Sequence, residues 1–135
     1  MFYDWKDEYL IHIESIDYQH QKLFMMVKVL HGYIESGDTA LVMKNFLNEL
    51  IKYTKTHFSD EERYMKEIGM PENLYQQHAQ EHLDLINEVK AIKTDYDSAH
   101  KVFTPKLIKF LVDWLRNHIV HTDTKISQFL NKRAD

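Results

Sequence analysis

Two histidines lie four residues apart in the middle of the chain, within the segment HAQEH at residues 78–82. Written as a pattern, the segment is H-x-x-E-H, the inverted zinc-peptidase signature, in which Glu81 would be the base between two zinc ligands. Written as geometry, His78 and His82 are two imidazoles one helical turn apart on one helix face, as in many kinds of metal site. The other ionisable residues of the chain decide between these two interpretations.

Further ionisable residues stand where amphipathic helices would place their core. Apolar residues recur three and four positions apart along four segments, and six ionisable residues fall on the same stripes. These six are His20, His57, Glu61, His78, His82 and His118. A single buried histidine is ordinarily a satisfied core residue, but burying an unpartnered polar group costs about 1–3 kcal/mol. Six such groups on four helices therefore indicate a shared partner, and a metal site is the economical explanation.

The stripes divide the chain into an N-terminal arm over residues 1–16, which carries Trp5, and a helical region over about 17–132. Asp17 fits the N-cap of the first helix. Gly37 fits the end of that helix, and Asp38 fits the N-cap of the second.

Similar signals separate the remaining helices. Gly69 ends the second helix, and Pro71 fits the first turn of the third. Residues 94–103 are predicted to be a loop, and Thr104–Pro105 fits the start of the fourth helix. Four helices with short connections predict an all-α, up-down-up-down four-helix bundle with an N-terminal arm, folded as a single domain over residues 1–135.

The predicted topology brings the ionisable residues together. In an antiparallel bundle, one end collects the start of the first helix, the end of the second, the start of the third and the end of the fourth. His20 lies near the start of the first helix, and His57 and Glu61 lie near the end of the second. The two HAQEH histidines follow the start of the third helix, and His118 lies past the middle of the fourth. With a rise of about 1.5 Å per residue, all six fall within roughly 5–20 Å of that end.

Composition limits the partners of this protein. The net charge is -4 and there is no basic run, so neither nucleic acid nor an anionic membrane is expected as a partner. The start of the chain, MFYDWKDEYL, lacks the features of a signal peptide, and no apolar stretch has the length of a membrane span. We therefore expect a cytoplasmic protein.

The same composition limits the metal. The chain has no cysteine, which excludes thiolate sites and iron–sulfur clusters. Five imidazoles with carboxylates exceed the needs of one tetrahedral zinc ion, and they suit two ions of iron, zinc or copper. The carboxylate-rich di-iron bundles need Glu-x-x-His on two helices, and no histidine here has a glutamate three residues before it.

Four segments of the chain resemble the hemerythrin family in order and in spacing. They are IDYQH (16–20), HFSDEE (57–62), HAQEH (78–82) and HIVHTD (118–123). The aromatic arm with Trp5 is similar to that of the single-domain bacterial members, the bacteriohemerythrins. The resemblance covers nearly the whole chain.

The resemblance implies a centre of two iron ions. The matching positions supply seven ligands: His20, His57, Glu61, His78, His82, His118 and Asp123. The three later histidines would bind one iron and the two earlier histidines the other. Glu61 and Asp123, together with an oxide or hydroxide, would bridge the two ions.

This ligand set implies a function. Two octahedral irons offer about twelve coordination positions. The histidines, the bridging carboxylates and the bridging oxide leave one position open, on the iron with two histidines. The resemblance therefore implies reversible binding of dioxygen, for carriage, storage or delivery, rather than an enzymatic reaction. It also implies an apolar pocket with five wall residues, which are Leu23, Phe58, Trp114, Leu115 and Ile119.

Other uses of the same site stay open. Oxygen or redox sensing, and the handling of iron or nitric oxide, could use these ligands. The partner of an oxygen-delivering protein would be an oxygen-consuming enzyme, which the sequence does not identify. We expect a monomer rather than an oligomer. We also expect the remaining histidines, which are His12, His31, His100 and His121, to be no ligands.

The fourth helix presents a conflict between geometry and resemblance. On an ideal helix His118 and His121 lie about 60° apart, whereas Asp123 lies about 140° from His118. Geometry alone favours His121 as the second ligand, and the resemblance implies Asp123. A π-type turn between residues 118 and 123 would bring those two positions nearly over each other. We therefore predict a π-type irregularity in the fourth helix, with Asp123 as the ligand.

Overall fold

The structure, a computed structural model, describes residues 4–37, 40–99 and 105–134. In these ranges it contains helices and no strand. The helices are α1 (Glu14–Glu35), α2 (Ala40–Glu67), α3 (Glu72–Ala99), α4 (Pro105–His118) and α5 (Thr124–Ala134). A π-helical segment, Ile119–Asp123, joins α4 to α5, so that the three form the continuous fourth helix of the bundle.

The helices pack as the predicted all-α four-helix bundle. Helix α1 packs against both α2 and α4, and α2 also packs against α3. The connections that follow α1 and α2 are short, so consecutive helices run antiparallel. A single 3₁₀ turn, Asp7–Tyr9, precedes α1. None of the helices described here is long and apolar enough to cross a membrane.

Glycines end the first two helices, as predicted. Gly37 follows α1 with a φ of 66°, and Gly69 follows α2 with a φ of 77°, a conformation that costs a residue with a side chain more than glycine. After α2, the N–H of Gly69 donates to the carbonyl of Lys66, and the N–H of Met70 donates to that of Met65. These two bonds form a Schellman motif, which satisfies carbonyls at the helix end.

The start of α1 differs from the prediction. The helix begins at Glu14, so Asp17 lies in its first turn and is not the N-cap. The buried Asp17 carboxylate instead accepts hydrogen bonds from the backbone N–H groups of Ile11 (2.8 Å) and His12 (3.0 Å). Its side chain therefore satisfies the backbone of the arm rather than that of its own helix.

The predicted loop at 94–103 was also partly wrong. Residues 94–99 continue α3, because nothing between Thr94 and Ala99 is a glycine or proline that would end a helix. Helix α4 begins at Pro105, as predicted, whereas α3 begins at Glu72, one residue after Pro71. The predictions for Asp38 and Thr104 lie outside the described residues.

The buried residues of the bundle are aliphatic at one end and largely ionisable towards the other. At one end the buried residues are aliphatic and include Leu30, Leu47, Val89 and Ile108. Towards the other end the buried side chains become ionisable, and beyond them a small second cluster of Met65, Met70 and Ile126 closes the bundle. We call the first region the apolar end and the second the polar end.

Candidate metal centre

Seven ionisable residues meet inside the polar end. The four bundle helices each contribute, because the positions named from the sequence fall on inward-facing turns. All seven are at most 4% exposed, which places them in the core: His20, His57, Glu61, His78, His82, His118 and Asp123. The structure therefore brings together every residue that the sequence predicted to converge.

The seven residues form two groups that share Glu61. One group contains the three histidines of α3 and α4, namely His78, His82 and His118, which we call the three-histidine half. It also includes Glu61 and Asp123, and its ligand atoms all lie within 4.8 Å of one another. The other group joins Glu61 to two histidines of α1 and α2, which we call the two-histidine half: His20 and His57.

The two carboxylates each direct one oxygen towards each half. Glu61 Oε1 lies 2.7 Å from His78 Nε2, and Glu61 Oε2 lies 3.5 Å from His57 Nε2. Asp123 Oδ1 lies 2.8 Å from His78 Nε2, and Asp123 Oδ2 lies 3.0 Å from His20 Nε2. Each carboxylate could therefore bridge two cation sites, with one oxygen at each site.

The spacing of the ligand atoms suits an octahedral ion in the three-histidine half. Five pairs of nitrogen and oxygen atoms around its centre lie between 2.7 and 3.1 Å apart. Two ligand atoms bound at about 2.1 Å and at right angles lie about 3.0 Å apart, and at a tetrahedral angle about 3.4 Å apart. These five separations are close to the right-angled value, whereas His118 Nε2 and Glu61 Oε1 are 3.8 Å apart.

Five buried atoms in the cluster form no hydrogen bond of acceptable geometry, although some of them lie within 3.0 Å of another polar atom. They are both ring nitrogens of His20, Glu61 Oε2 and both carboxylate oxygens of Asp123, and all are buried. Buried polar atoms are almost always hydrogen-bonded in folded proteins. Imidazole nitrogens and carboxylate oxygens together are a typical ligand set for iron and similar transition metals. The residues present therefore fit a pair of metal ions.

The electrostatics of the cluster favour bound cations. Burial opposes the ionisation of Glu61 and Asp123, but the surrounding imidazoles hold the pKa of each carboxyl well below its usual range. Burial also lowers the pKa of His20, yet the carboxylates of Asp123 and Glu61 beside its ring raise that pKa to about 9. For His57, burial dominates and lowers the pKa to about 4. Two buried anions thus stand among imidazoles at neutral pH.

The π-helical segment puts Asp123 into the cluster, as predicted. Asp123 is 0% exposed, and its Oδ1 lies 3.1 Å from His118 Nε2, five residues earlier. His121, which an ideal helix would have turned inward, is exposed. The wider π turn rotates the chain so that positions 118 and 123 face the same point.

Hydrogen bonds hold the outer nitrogens of three histidines. His82 Nδ1 donates to Glu62 (2.9 Å), and His118 Nδ1 donates to Glu81 (3.1 Å), which also accepts from the Thr122 hydroxyl. His57 Nδ1 donates to the amide oxygen of Gln19 (2.6 Å). Sequence reasoning missed Gln19 and Glu62, although each directly adjoins a predicted ligand.

Aromatic rings stack on the faces of two of the imidazoles. The ring of Phe58 stacks on that of His82, with centroids 3.8 Å apart and an interplanar angle of 4°. The ring of Trp114 stacks on that of His118 at 4.4 Å and 14°. Both aromatic residues were predicted as pocket walls, and the structure places them against the three-histidine half.

The other predicted wall residues are aliphatic and buried. Leu23 and Leu115 line a cavity of about 30 Å³, with Thr54 as its polar member among apolar neighbours. Leu23 follows His20 by three residues, and Leu115 precedes His118 by three. Ile119 is fully buried in the first position of the π-helical segment.

A comparison with known sequences identifies the family. Residues 11–130 match the family profile described as the hemerythrin HHE cation binding domain. The match spans most of the chain and includes all seven clustered residues. The chain belongs to the hemerythrin family.

Individual hemerythrins are similar over nearly their full length. A bacteriohemerythrin of Clostridium acetobutylicum is 31% identical over 128 residues, covering 88% of this chain and 94% of the relative. A bacteriohemerythrin of Campylobacter jejuni is 30% identical over 120 residues, covering 89% of each. A myohemerythrin of Theromyzon tessulatum is 28% identical over 123 residues, covering 91% of this chain and 89% of the relative.

Within this hemerythrin fold, the HAQEH segment is one part of a larger cluster. His78 and His82 face the centre, and Glu81 lies on the outside, where it accepts hydrogen bonds from His118 and Thr122. The peptidase interpretation needs Glu81 as a base inside the site, and the structure does not place it there.

Two of the remaining histidines lie away from the cluster. His12 is exposed, and His31 is buried beside Glu35, 11 residues beyond His20 on α1. His100 lies outside the described residues.

Proposed function

We propose that this hemerythrin binds dioxygen reversibly at a non-haem di-iron centre inside its four-helix bundle. The observation that carries the proposal is the pair of buried carboxylates, each with one oxygen directed to each half of the cluster. The cation-binding family and the hemerythrin names of the relatives support the same function.

The two halves would hold one iron each. The three-histidine half supplies three imidazoles to the first ion, and the two-histidine half supplies two to the second. Glu61 and Asp123 would join the ions, with an oxide or hydroxide as a further bridge. The two irons would supply the electrons and the open coordination position that dioxygen binding requires.

The ligand set favours binding over oxidation of a substrate. Five of the seven side chains are imidazoles, which are neutral when they bind metal, and only two are carboxylates. Neutral ligands stabilise high-valent iron less than oxyanions do. The reaction that we propose is therefore reversible binding, which carriage, storage and delivery share, and not an enzymatic oxidation.

The walls of the site would keep water from the iron pair. Leu23 and Leu115 present aliphatic side chains to the small cavity, and apolar cavities of this kind stay dry. Ile119, which is fully buried directly after His118, would add an apolar wall from the π-helical segment. Beyond the cluster, Met65 and Ile126 are both 0% exposed and separate it from solvent at the end of the bundle.

Optical spectroscopy through repeated oxygenation cycles tests this proposal. The iron-loaded protein is reduced under argon, exposed to air and returned to argon, with a visible spectrum at each stage. We expect a visible absorption band that appears with air and disappears under argon over several cycles. A spectrum that does not respond to air, or that changes once and never returns, would overturn the proposal.

A further inference from the structure

The two halves of the cluster differ in what lies behind their imidazoles. In the three-histidine half, His82 donates to the carboxylate of Glu62 at 2.9 Å, and His118 donates to that of Glu81 at 3.1 Å. Thr122 holds Glu81 in place, since its hydroxyl donates to both carboxylate oxygens at 2.8 and 3.0 Å. Two of the three imidazoles in this half therefore have an anion directly behind them.

In the two-histidine half, the groups behind the imidazoles are neutral or missing. His57 donates to the amide oxygen of Gln19 at 2.6 Å, and the outer nitrogen of His20 is buried without a hydrogen-bond partner. The amide nitrogen of Gln19 in turn donates a hydrogen bond to the carboxylate of Asp60 at 3.0 Å. Asp60 is itself paired with Arg63 at 2.9 Å. The nearest carboxylate is thus one residue further out, and a cation partly neutralises it.

We propose that Glu62 and Glu81 are positioning residues that make the three-histidine half the tighter metal site, so that it fills first. The inference rests on the proposed di-iron function. It also goes beyond the count of ligands, because it assigns part of the difference in affinity to two residues that never touch the metal.

The physical reason has two parts. A carboxylate that accepts the Nδ1 proton fixes the imidazole as the tautomer whose Nε2 is free for metal, and it raises the basicity of that nitrogen. Nδ1 is the outer nitrogen in both pairs, and both Nε2 atoms face the cluster centre, 3.0 Å apart. Phe58 and Trp114 stack on the faces of the same two rings. The hydrogen bonds therefore restrain each imidazole within its plane, and the stacking contacts restrain it perpendicular to that plane. Gln19 can also fix a tautomer, but it brings no charge.

Titration of the metal-free protein with Co²⁺ under argon tests the inference. Cobalt is chosen because it stays divalent, and its visible absorption reports the ligand geometry. The variants are Glu62→Gln, Glu81→Gln and the double substitution, which keep a hydrogen-bond acceptor and remove only the charge. Glu88→Gln is the matched control, since Glu88 is an exposed carboxylate on α3.

We expect wild type to bind two ions with unequal affinity. Each glutamine variant should weaken the first dissociation constant by about 10- to 100-fold, the usual effect of losing such an outer partner. The second dissociation constant should change far less in the same variants, because neither glutamate is hydrogen-bonded to an imidazole of the two-histidine half. Glu88→Gln should change neither constant.

Proton NMR of the Co²⁺ protein gives a readout that a purely structural role would not move. The Nδ1–H protons of the metal-bound imidazoles are shifted by the cobalt, and each reports its own acceptor. Glu62→Gln should shift the His82 resonance alone, and Glu81→Gln should shift that of His118 alone. Glutamine variants with wild-type affinities and unshifted resonances would overturn the inference. A wild-type protein that binds fewer than two ions would overturn the proposed function itself.

Discussion

At the apolar end of the bundle the helices meet through aliphatic side chains, whereas at the polar end they meet through five imidazoles and two carboxylates. Both regions are equally hidden from solvent: Leu30 and Leu47 are 0% exposed, and so are Glu61 and Asp123. Aliphatic side chains gain free energy by leaving water, and unpaired ionisable ones lose it. One end of the bundle is therefore stable by itself, and the other depends on what it binds.

The transition between the two ends occurs within single helices. Along α2, Leu47 and Leu50 are succeeded on the same face by Thr54, His57 and Glu61. The helix keeps its period and changes only the chemistry of the buried face. The shared scaffold thus allows the polar end to be perturbed while the apolar end serves as an internal reference.

Removal of the shared carboxylate should break the polar end most severely. Glu61→Ala takes away a carboxylate whose oxygens lie close to the histidines of both halves of the cluster. We expect iron content, measured on the purified protein, to fall from two ions per chain to fewer than one. Glu49→Ala, an exposed glutamate earlier on α2, is the control and should keep two. Full iron content in Glu61→Ala would mean that Glu61 does not bridge the ions.

A second pair of substitutions separates the two candidate residues of the π-helical segment. Asp123→Ala should lose iron or the spectrum of a bridged pair, because Asp123 contacts both halves. His121→Ala should keep both, because His121 is exposed. Iron analysis and the visible spectrum measure both variants. The reverse pattern would make His121 the ligand and would show that the resemblance fails at this position.

Removal of iron should destabilise the polar end selectively. Five buried atoms on three residues would then lack partners. At about 1–3 kcal/mol for each unsatisfied residue, the loss is at least about 3 kcal/mol, or roughly 10 °C in Tm. Calorimetry measures the loss, and hydrogen exchange locates it. Amides near His57 should lose protection, and those near Leu47 should keep it. Equal loss at both ends would contradict the comparison.

A matched pair of isoleucines gives the smallest effect. Ile108 and Ile119 are both 0% exposed, one at the apolar end and one beside His118. A serine at either position should cost similar stability, but only Ile119→Ser admits water to the iron pair. We expect it to speed autoxidation roughly tenfold, which corresponds to a barrier lower by about 1.4 kcal/mol. Rates that match in the two variants, at full iron content, would make Ile119 a core residue only.

The sequence predicted much of this arrangement because the signals were local or periodic. Helical stripes placed the six core-facing ionisable residues on four helices, and the topology brought them to one end. The π-type turn followed from a conflict of angles between His118 and Asp123. The placement of the six residues needs only the helical period and the order of the elements, whereas the choice of Asp123 over His121 came from the family resemblance.

Contacts that depend on tertiary packing could not be predicted in this way. Gln19 and His57 are 38 residues apart in sequence, and Glu62 and His82 are 20 apart. Neither Gln19 nor Glu62 falls on a buried stripe, since both are partly exposed. The role of Asp17 was missed for a similar reason. Its carboxylate accepts a hydrogen bond from the backbone of Ile11 in the arm, and the arm has no periodic sequence pattern from which its position could be predicted.

Metal analysis of the reconstituted wild-type protein tests whether the cluster is a di-iron centre. The metal-free chain is loaded with Fe²⁺ under argon, freed of excess metal, and measured for iron and zinc per chain. We expect two tightly bound irons per chain and a cluster that prefers them to a single zinc. One tightly bound zinc per chain, with a peptidase activity that Glu81→Gln abolishes, would show that the cluster is not a di-iron centre.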